Sequence, residues 1–179
     1  MKIVCLGDSN TYGYDPRGYF GDRYDAPWPE LLADATGWDV VNSGVNGMEI
    51  PLGKHHIPTE CDLLIIMLGT NDLLQLRLPE DAAERMERFI SGFSEDECKK
   101  LLLIAPPPMK FGEWVQDDSL IEDNLTLAAA YEALAQRHQI RYLDPAKWGL
   151  SLAYDGVHLT EEDHRVFASV LMDHLNKGE

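Results

Sequence analysis

The chain is short of basic residues, with 15 Lys and Arg against 31 Asp and Glu, which gives a formal net charge of -16. A field of this sign repels the phosphates of nucleic acids and anionic membrane surfaces, so neither is expected as a partner. No apolar run is long enough to cross a bilayer. The N-terminus enters an apolar segment directly, without the cleavage site of a secretory signal, and this favours a cytoplasmic protein.

Cysteine is scarce, and the common cofactor motifs are missing. The three cysteines, Cys5, Cys61 and Cys98, are odd in number and lack the spacing of a metal site, and free thiols fit a reducing compartment. Neither a G-x-G-x-x-G nor a Walker motif occurs, which disfavours nucleotide binding. The adjacent pair His55-His56 has no third ligand nearby in sequence, so we interpret it as surface. We therefore predict neither a cofactor nor a metal ion.

The length of 179 residues, of which 45% are hydrophobic and 26% charged, fits one soluble globular domain over residues 1–179. Short apolar runs that end at small or polar residues predict five strands, and segments with apolar residues at helical spacing separate them. This alternation predicts an α/β three-layer αβα sandwich, flavodoxin-like, with a parallel five-stranded sheet in the order 2-1-3-4-5. The predicted strands cover 3–6, 39–42, 63–68, 101–104 and 140–143, and the main helices cover 28–35, 79–90, 119–138 and a segment that starts at Thr160.

Polar and glycine-rich loops follow four segments of the predicted sheet, at 7–10, 43–47, 69–72 and 155–158. Since parallel strands present ligand-binding residues at their carboxyl ends, these loops are expected to meet at one end of the sheet. Taken alone, Asp8-Ser9-Asn10 would often do no more than cap a helix. The four loops together, however, contain every group that acyl transfer requires.

Acyl transfer requires a hydroxyl nucleophile, a histidine that takes its proton, a carboxylate that holds the imidazole, and donors for the oxyanion. Ser9 can be the nucleophile and His158 the base. Asp155 precedes His158 by three residues on a tight turn through Gly156, and it can reach the other ring nitrogen. The N–H of Ser9, a glycine N–H of the second loop and the side-chain amide of Asn71 can be the oxyanion donors.

The same four blocks, in this order and at this spacing, resemble those of the SGNH (GDSL-type) hydrolase superfamily across almost the whole chain. The resemblance implies that Ser9 is the nucleophile, that Asp155 and His158 complete a catalytic triad, and that Asn71 is an oxyanion donor. It also implies a glycine donor in the second block. That glycine is Gly47, which closes an Asn-x-x-x-x-Gly pattern beginning at Asn42, whereas Gly44 is out of step with the pattern.

Within this superfamily, 65–72 and the proline run 106–108 are similar to the bacterial arylesterase-type branch. This resemblance implies a small-molecule ester substrate, hydrolysis or acyl transfer to an alcohol, and a possible homo-oligomer. Asn10 departs from the family pattern, which has Leu at this position. We expect it to change the polarity beside the nucleophile without removing the chemistry.

Two other functions use the acidic residues of the same loops. A receiver-like or metal-binding domain would use Asp8 and Asp72, but it needs a lysine after the fifth strand, where only Lys147 is near, and it leaves Ser9 and His158 unexplained. A metal-dependent hydrolase would instead use Asp8, Asp155 and His158 as ligands. We interpret Asp8 and Asp72 as structural acceptors of backbone N–H groups.

Two further predictions concern packing around the site. The irregular stretches 12–28 and 106–114 are expected to form pocket walls, although their aromatic side chains could equally pack on one another. In the 119–138 helix, the spacing predicts an inward face formed by Leu125, Ala128, Ala129, Leu134 and Ala135.

Overall fold

A computed structural model describes residues 1–18, 22–53, 60–76 and 78–178. The His55-His56 pair and part of the predicted pocket wall, Tyr19 and Phe20, lie outside the described residues. Within these ranges, no helix combines the length and the apolar character needed to cross a bilayer.

The centre of the fold is a parallel sheet of five strands in the order β2-β1-β3-β4-β5, as predicted. Gly7 at the end of β1 pairs with Gly44 of β2 on one side and with Met67 of β3 on the other. The loops that follow these three strands therefore begin side by side at the carboxyl end of the sheet. The strands are β1 (Lys2–Gly7), β2 (Asp39–Gly44), β3 (Leu63–Met67), β4 (Leu101–Ile104) and β5 (Arg141–Leu143).

Seven α-helices and one 3-10 turn connect the strands in the described ranges. The four longer helices, α2, α4, α6 and α7, match the predicted segments closely, and Thr160 caps α7 as expected. The short helices α3 and α5 lie in segments for which we predicted no helix, and α1 begins within the predicted 7–10 loop. The helices are α1 (Ser9–Tyr12), α2 (Trp28–Thr36), α3 (Thr70–Leu74), α4 (Pro79–Ile90), α5 (Glu95–Cys98), α6 (Asp118–His138) and α7 (Glu161–Lys177), and the 3-10 turn is Pro145–Lys147.

The core lies on both faces of the sheet because successive strand residues point in opposite directions. On one face, Leu64 and Ile66 pack in a cluster with residues of α4 and α6. On the other face, Ile65 and Met67 pack with α2 and α7, where Trp28 contacts Phe167. Covering both faces explains why β3 is apolar at every position.

One predicted packing face was partly wrong. Ala128, Leu134 and Ala135 of α6 are buried as predicted, but Leu125 and Ala129 are exposed. The helix is rich in alanine, so apolar residues lie around much of its circumference and the spacing does not select one stripe. The inward face instead includes Leu127 and Tyr131, whose hydroxyl donates to Leu68 O at 3.1 Å.

Candidate active site

The predicted nucleophile Ser9 is the first residue of α1, two positions beyond the last residue of β1. Asp8 caps this short helix, since its Oδ1 accepts the N–H of Asn10 at 2.9 Å. Ser9 is buried, so its hydroxyl lies in an enclosed environment at the carboxyl end of the sheet. Asp8 provides the helix cap and Ser9 provides the hydroxyl, so this loop can cap a helix and contain a nucleophile at the same time.

A continuous line of hydrogen bonds joins Ser9, His158 and Asp155. His158 Nε2 lies 3.0 Å from Ser9 Oγ, and His158 Nδ1 lies 2.7 Å from Asp155 Oδ2. Asp155 Oδ1 also accepts the backbone N–H groups of Val157 and His158, at 2.9 and 3.0 Å. Because an ionised carboxylate can only accept, Nδ1 carries the proton and Nε2 presents its lone pair to the serine hydroxyl.

The charge on Asp155 is maintained by this arrangement. Burial raises its pKa, but the hydrogen bond from the His158 ring and those from the N–H groups of His158 and Val157 outweigh that effect and leave the pKa below 3.8. Asp155 is therefore a carboxylate at neutral pH, as an orienting partner for an imidazole must be.

Aromatic rings enclose the imidazole of His158 on two sides. The centroid of Tyr14 lies 4.7 Å from that of His158, and Trp114 lies edge-on at 5.1 Å. These rings come from the two stretches in which we expected pocket walls. Trp28, from the same prediction, is instead a fully buried core residue.

The loop that contains Trp114 is bonded along the catalytic turn. Lys110 N–H donates to Gly156 O at 3.0 Å, and Trp114 N–H donates to Asp155 O at 3.0 Å. Gly156 has a φ of +82°, and a Cβ there would lie 2.1 Å from Lys110 O. Both the backbone conformation and the close approach therefore require glycine between Asp155 and His158.

The predicted oxyanion donors occupy the adjoining loops. Gly44 N–H is engaged, because it donates to Asn42 Oδ1 at 2.9 Å. By contrast, the described part of the chain contains no backbone hydrogen bond donated by the N–H of Ser9 or of Gly47. Asn71 Nδ2 donates to Met48 O at 3.1 Å, which ties it to the residue after Gly47 and leaves its second amide hydrogen for another acceptor.

The acidic residues of the alternative functions have mainly internal partners. Asp72 is fully buried, where its Oδ2 accepts Ile50 N–H at 3.0 Å and its Oδ1 pairs with Arg85 Nη1 at 3.2 Å. Burial, reinforced by Asp72, raises the pKa of Asp8 to about 6, although the Asn10 N–H and the Thr70 side chain oppose this. Within residues 1–18, 22–53, 60–76 and 78–178, no three His, Cys, Asp or Glu side chains form a group that could hold a metal ion.

Two buried polar residues near the site make contacts that the sequence did not predict. The side chain of Asn10 bonds to both neighbours of His158, at Val157 O and Leu159 N. His164 on α7 accepts the N–H of Trp28 through Nδ1 at 3.2 Å. Neither contact has a local sequence signal, because the partners are more than 130 residues away along the chain.

A groove of about 370 Å³, lined by both apolar and polar side chains, lies between α3 and the start of α6. It reaches the site through Trp114, which lines the groove and contacts the His158 ring. Its apolar lining is Leu73, Leu74, Leu76, Leu78, Trp114 and Leu120, and its polar lining is Gln116, Asp117, Ser119 and Asp123.

The sequence profile of the GDSL-like lipase/acylhydrolase family matches residues 5–166. The chain belongs to this family. As a GDSL-like acylhydrolase it is a carboxylic ester hydrolase, and both the predicted superfamily and the predicted enzyme class are confirmed. No curated protein sequence matches this GDSL-like acylhydrolase.

Solved structures show the same fold over nearly the full length. An aryl esterase of M. smegmatis is 24% identical with a TM-score of 0.79, and the alignment covers 98% of each chain. A carbohydrate acetylesterase from Sinorhizobium meliloti is 21% identical with a TM-score of 0.80 and covers 99% of each chain. A candidate arylesterase from Agrobacterium tumefaciens strain C58 is 27% identical with a TM-score of 0.78, again over 99% of each chain.

Proposed function

We propose that this GDSL-like acylhydrolase cleaves small carboxylic esters through an acyl-enzyme on Ser9. The observation that carries the proposal is the hydrogen-bonded line from Ser9 Oγ through the His158 ring to Asp155, with distances of 3.0 and 2.7 Å. A serine hydroxyl is a weak nucleophile by itself and needs an adjacent base that a third group orients. The contacts of these three side chains supply both.

In the proposed reaction, His158 Nε2 takes the hydroxyl proton while Ser9 Oγ attacks the ester carbonyl carbon. The tetrahedral intermediate collapses when His158 returns the proton to the leaving alcohol, and the acyl group stays on Ser9. Water then attacks the acyl-enzyme by the same proton transfers in reverse order, and the carboxylic acid leaves. An alcohol in place of water would receive the acyl group, so transfer uses the same steps.

The oxyanion of each intermediate would be held by the N–H groups of Ser9 and Gly47 and by the Asn71 amide. The proposal is supported by the absence of a backbone hydrogen bond from either N–H group to any residue that the structure describes, and by the bond from Asn71 to Met48, which fixes the amide beside the Gly47 turn. Replacing Asn71 with Ala should lower turnover by roughly 10²–10³, as loss of one oxyanion donor does elsewhere. Asn176→Ala, at an exposed asparagine near the end of α7, is the control for an asparagine substitution outside the site. Unchanged turnover in Asn71→Ala would remove Asn71 from this role.

We propose that the acyl chain of the substrate lies in the groove beside Trp114, along its leucine side chains. The lining is leucine-rich, while its charged residues Asp117 and Asp123 are acidic, so the groove favours a neutral ester over an anionic one. A groove of about 370 Å³ has room for an acyl chain longer than acetate. We therefore expect octanoate esters to be accepted as well as acetate esters.

Leu78 offers a clean test of this placement, because its side chain is 60% exposed and lines the groove. Leu78→Asp should lower kcat/KM for p-nitrophenyl octanoate by roughly tenfold relative to the acetate, the equivalent of about two buried methylenes. The control is Leu125→Asp, at a leucine that is 51% exposed and lies on α6 outside the groove lining. An unchanged octanoate-to-acetate ratio in Leu78→Asp would place the acyl chain elsewhere.

A further inference from the structure

Asn10 directly follows Ser9, and its buried side chain contacts the segment that carries His158. Its Nδ2 donates to Val157 O at 3.2 Å, and its Oδ1 accepts Leu159 N–H at 2.8 Å. Because an amide nitrogen only donates and an amide oxygen only accepts, the two partners also fix which way round the carboxamide lies. The carboxamide thus bonds to the backbone of both residues that flank His158, as a peptide group of an adjacent strand would.

The backbone of His158 is held by its own loop. Its N–H donates to Asp155 Oδ1 at 3.0 Å, and its carbonyl accepts Ala153 N–H at 2.7 Å. These bonds define the shape of the turn that carries the imidazole. They do not join that turn to the nucleophile, from which His158 is separated by 149 residues.

We propose that Asn10 is a positioning residue that sets the distance between His158 and Ser9. The inference rests on the serine mechanism proposed above. The two hydrogen bonds of the Asn10 carboxamide form a bridge between the nucleophile and the base. This bridge is short, since one peptide bond separates Asn10 from Ser9 and each hydrogen bond ends on a residue next to His158. It therefore ties the base to the nucleophile directly, without depending on the packing of the sheet between them.

The expected effect is on turnover more than on substrate binding. Proton transfer from Ser9 needs Oγ and Nε2 within hydrogen-bond distance, and they are 3.0 Å apart. A displacement of about 1 Å between reacting groups can lower a rate roughly 10²-fold. Leu at this position, which has a similar size, would make neither bond and would leave a buried carbonyl and a buried N–H without partners.

The chain contains a matched control for this bridge. Asn124 is equally buried, and its carboxamide makes the same pair of bonds, accepting Met109 N–H at 3.2 Å and donating to Pro107 O at 3.4 Å. Its bridge therefore stabilises a loop in the same way, but its bonding partners are not neighbours of His158.

The test measures kcat, KM and Tm with p-nitrophenyl acetate for Asn10→Leu and Asn10→Asp, and for the same two changes at Asn124. We expect kcat of Asn10→Leu to fall roughly 10- to 100-fold while KM changes by about twofold or less. In Asn10→Asp, the added carboxylate favours the imidazolium, so the acid limb of the kcat profile should move to higher pH. The Asn124 variants should lose Tm comparably, with a fall in kcat well below that of the Asn10 variants and an unmoved pH profile.

The proposal would be overturned if folded Asn10 variants kept kcat within about threefold of wild type. It would also be overturned if kcat fell as far in the Asn124 variants as in the Asn10 variants. If Asn10→Leu does not fold, Asn10→Asp decides by the same criteria. Ser9→Ala, assayed in parallel, tests the serine mechanism separately from the role of Asn10. An active Ser9→Ala would refute the serine mechanism itself, whereas an inactive Ser9→Ala with fully active Asn10 variants would refute only the role of Asn10.

Discussion

His164 should make the protein lose stability in mild acid. Its side chain is 0% exposed, its Nδ1 accepts Trp28 N–H, and its Nε2 has no hydrogen-bond partner among the described residues. Burial lowers its pKa from 6.5 to about 4, and Arg23 and His158 add to this while Asp163 opposes it. The ring is therefore neutral in the folded protein at a pH where the unfolded chain binds a proton.

The sign and size of the effect follow from proton linkage. Between pH 6.5 and about pH 4 the unfolded state binds more protons at this position, so the free energy of unfolding falls as the pH falls. With these two pKa values, the loss is about 1.4 kcal/mol at pH 5.5 relative to pH 7.5, and its upper limit is about 3 kcal/mol at lower pH. At pH 5.5 the chain is still above its isoelectric point of 4.6, where solubility is lowest.

The assay is urea unfolding at pH 7.5 and pH 5.5, followed by tryptophan fluorescence, for wild type and His164→Asn. Asparagine can accept the Trp28 N–H but cannot take up a proton, so comparing the two proteins cancels the contributions of every other titrating group. Wild type should lose about 1.4 kcal/mol more than His164→Asn between the two pH values. Equal losses in the two proteins would refute a buried neutral His164.

Three further predictions concern groups around the site. Asp155→Asn keeps an oxygen that accepts the Val157 and His158 N–H groups, but it favours the wrong imidazole tautomer. We therefore expect kcat to fall about 10⁴-fold with Tm nearly unchanged. A fall in kcat of less than about tenfold would contradict this. Asp8 has a folded-state pKa of about 6, above its ordinary 3.8, so its contribution to stability is lost as pH rises through that window. Asp8→Asn should therefore raise the free energy of unfolding at pH 7.5 by up to about 3 kcal/mol and leave it unchanged at pH 3.5, whereas an equal change at both would contradict this. Gly112→Ala would place a Cβ 2.3 Å from the backbone of Asp155, so it should lower both Tm and kcat, whereas Gly37→Ala, which meets no atom within 4 Å, should spare kcat.

Most of the fold could be predicted because its signals are local. The apolar runs of β1, β3 and β4 end at glycine or proline, and a parallel arrangement of alternating strands and helices allows few strand orders. Two short helices were missed for different reasons. α5 has a local signal, since Ser94 and Glu97 form a capping box. The residue before α3 is Gly69, with a φ of +127°, and it opens a Gly-Thr-Asn-Asp segment that is typical of a turn.

The residues of the proposed site could be named because each block combines a small set of polar residue types at a strand end. The contacts that support them could not be predicted in this way. Asn10 was expected only to change local polarity, yet both of its partners lie near residue 158. His164 lies among acidic and polar residues of α7, and its burial follows from the way α7 packs on the start of α2.

The most direct test of the central claim is p-nitrophenol release from the acetate and octanoate esters by wild type and Ser9→Ala, with a metal chelator present. A serine mechanism predicts that wild type turns over both esters in the presence of the chelator and that Ser9→Ala loses activity by roughly 10³-fold or more. Equal activity of the two proteins, or a wild type that the chelator inactivates, would contradict a serine mechanism in this GDSL-like acylhydrolase.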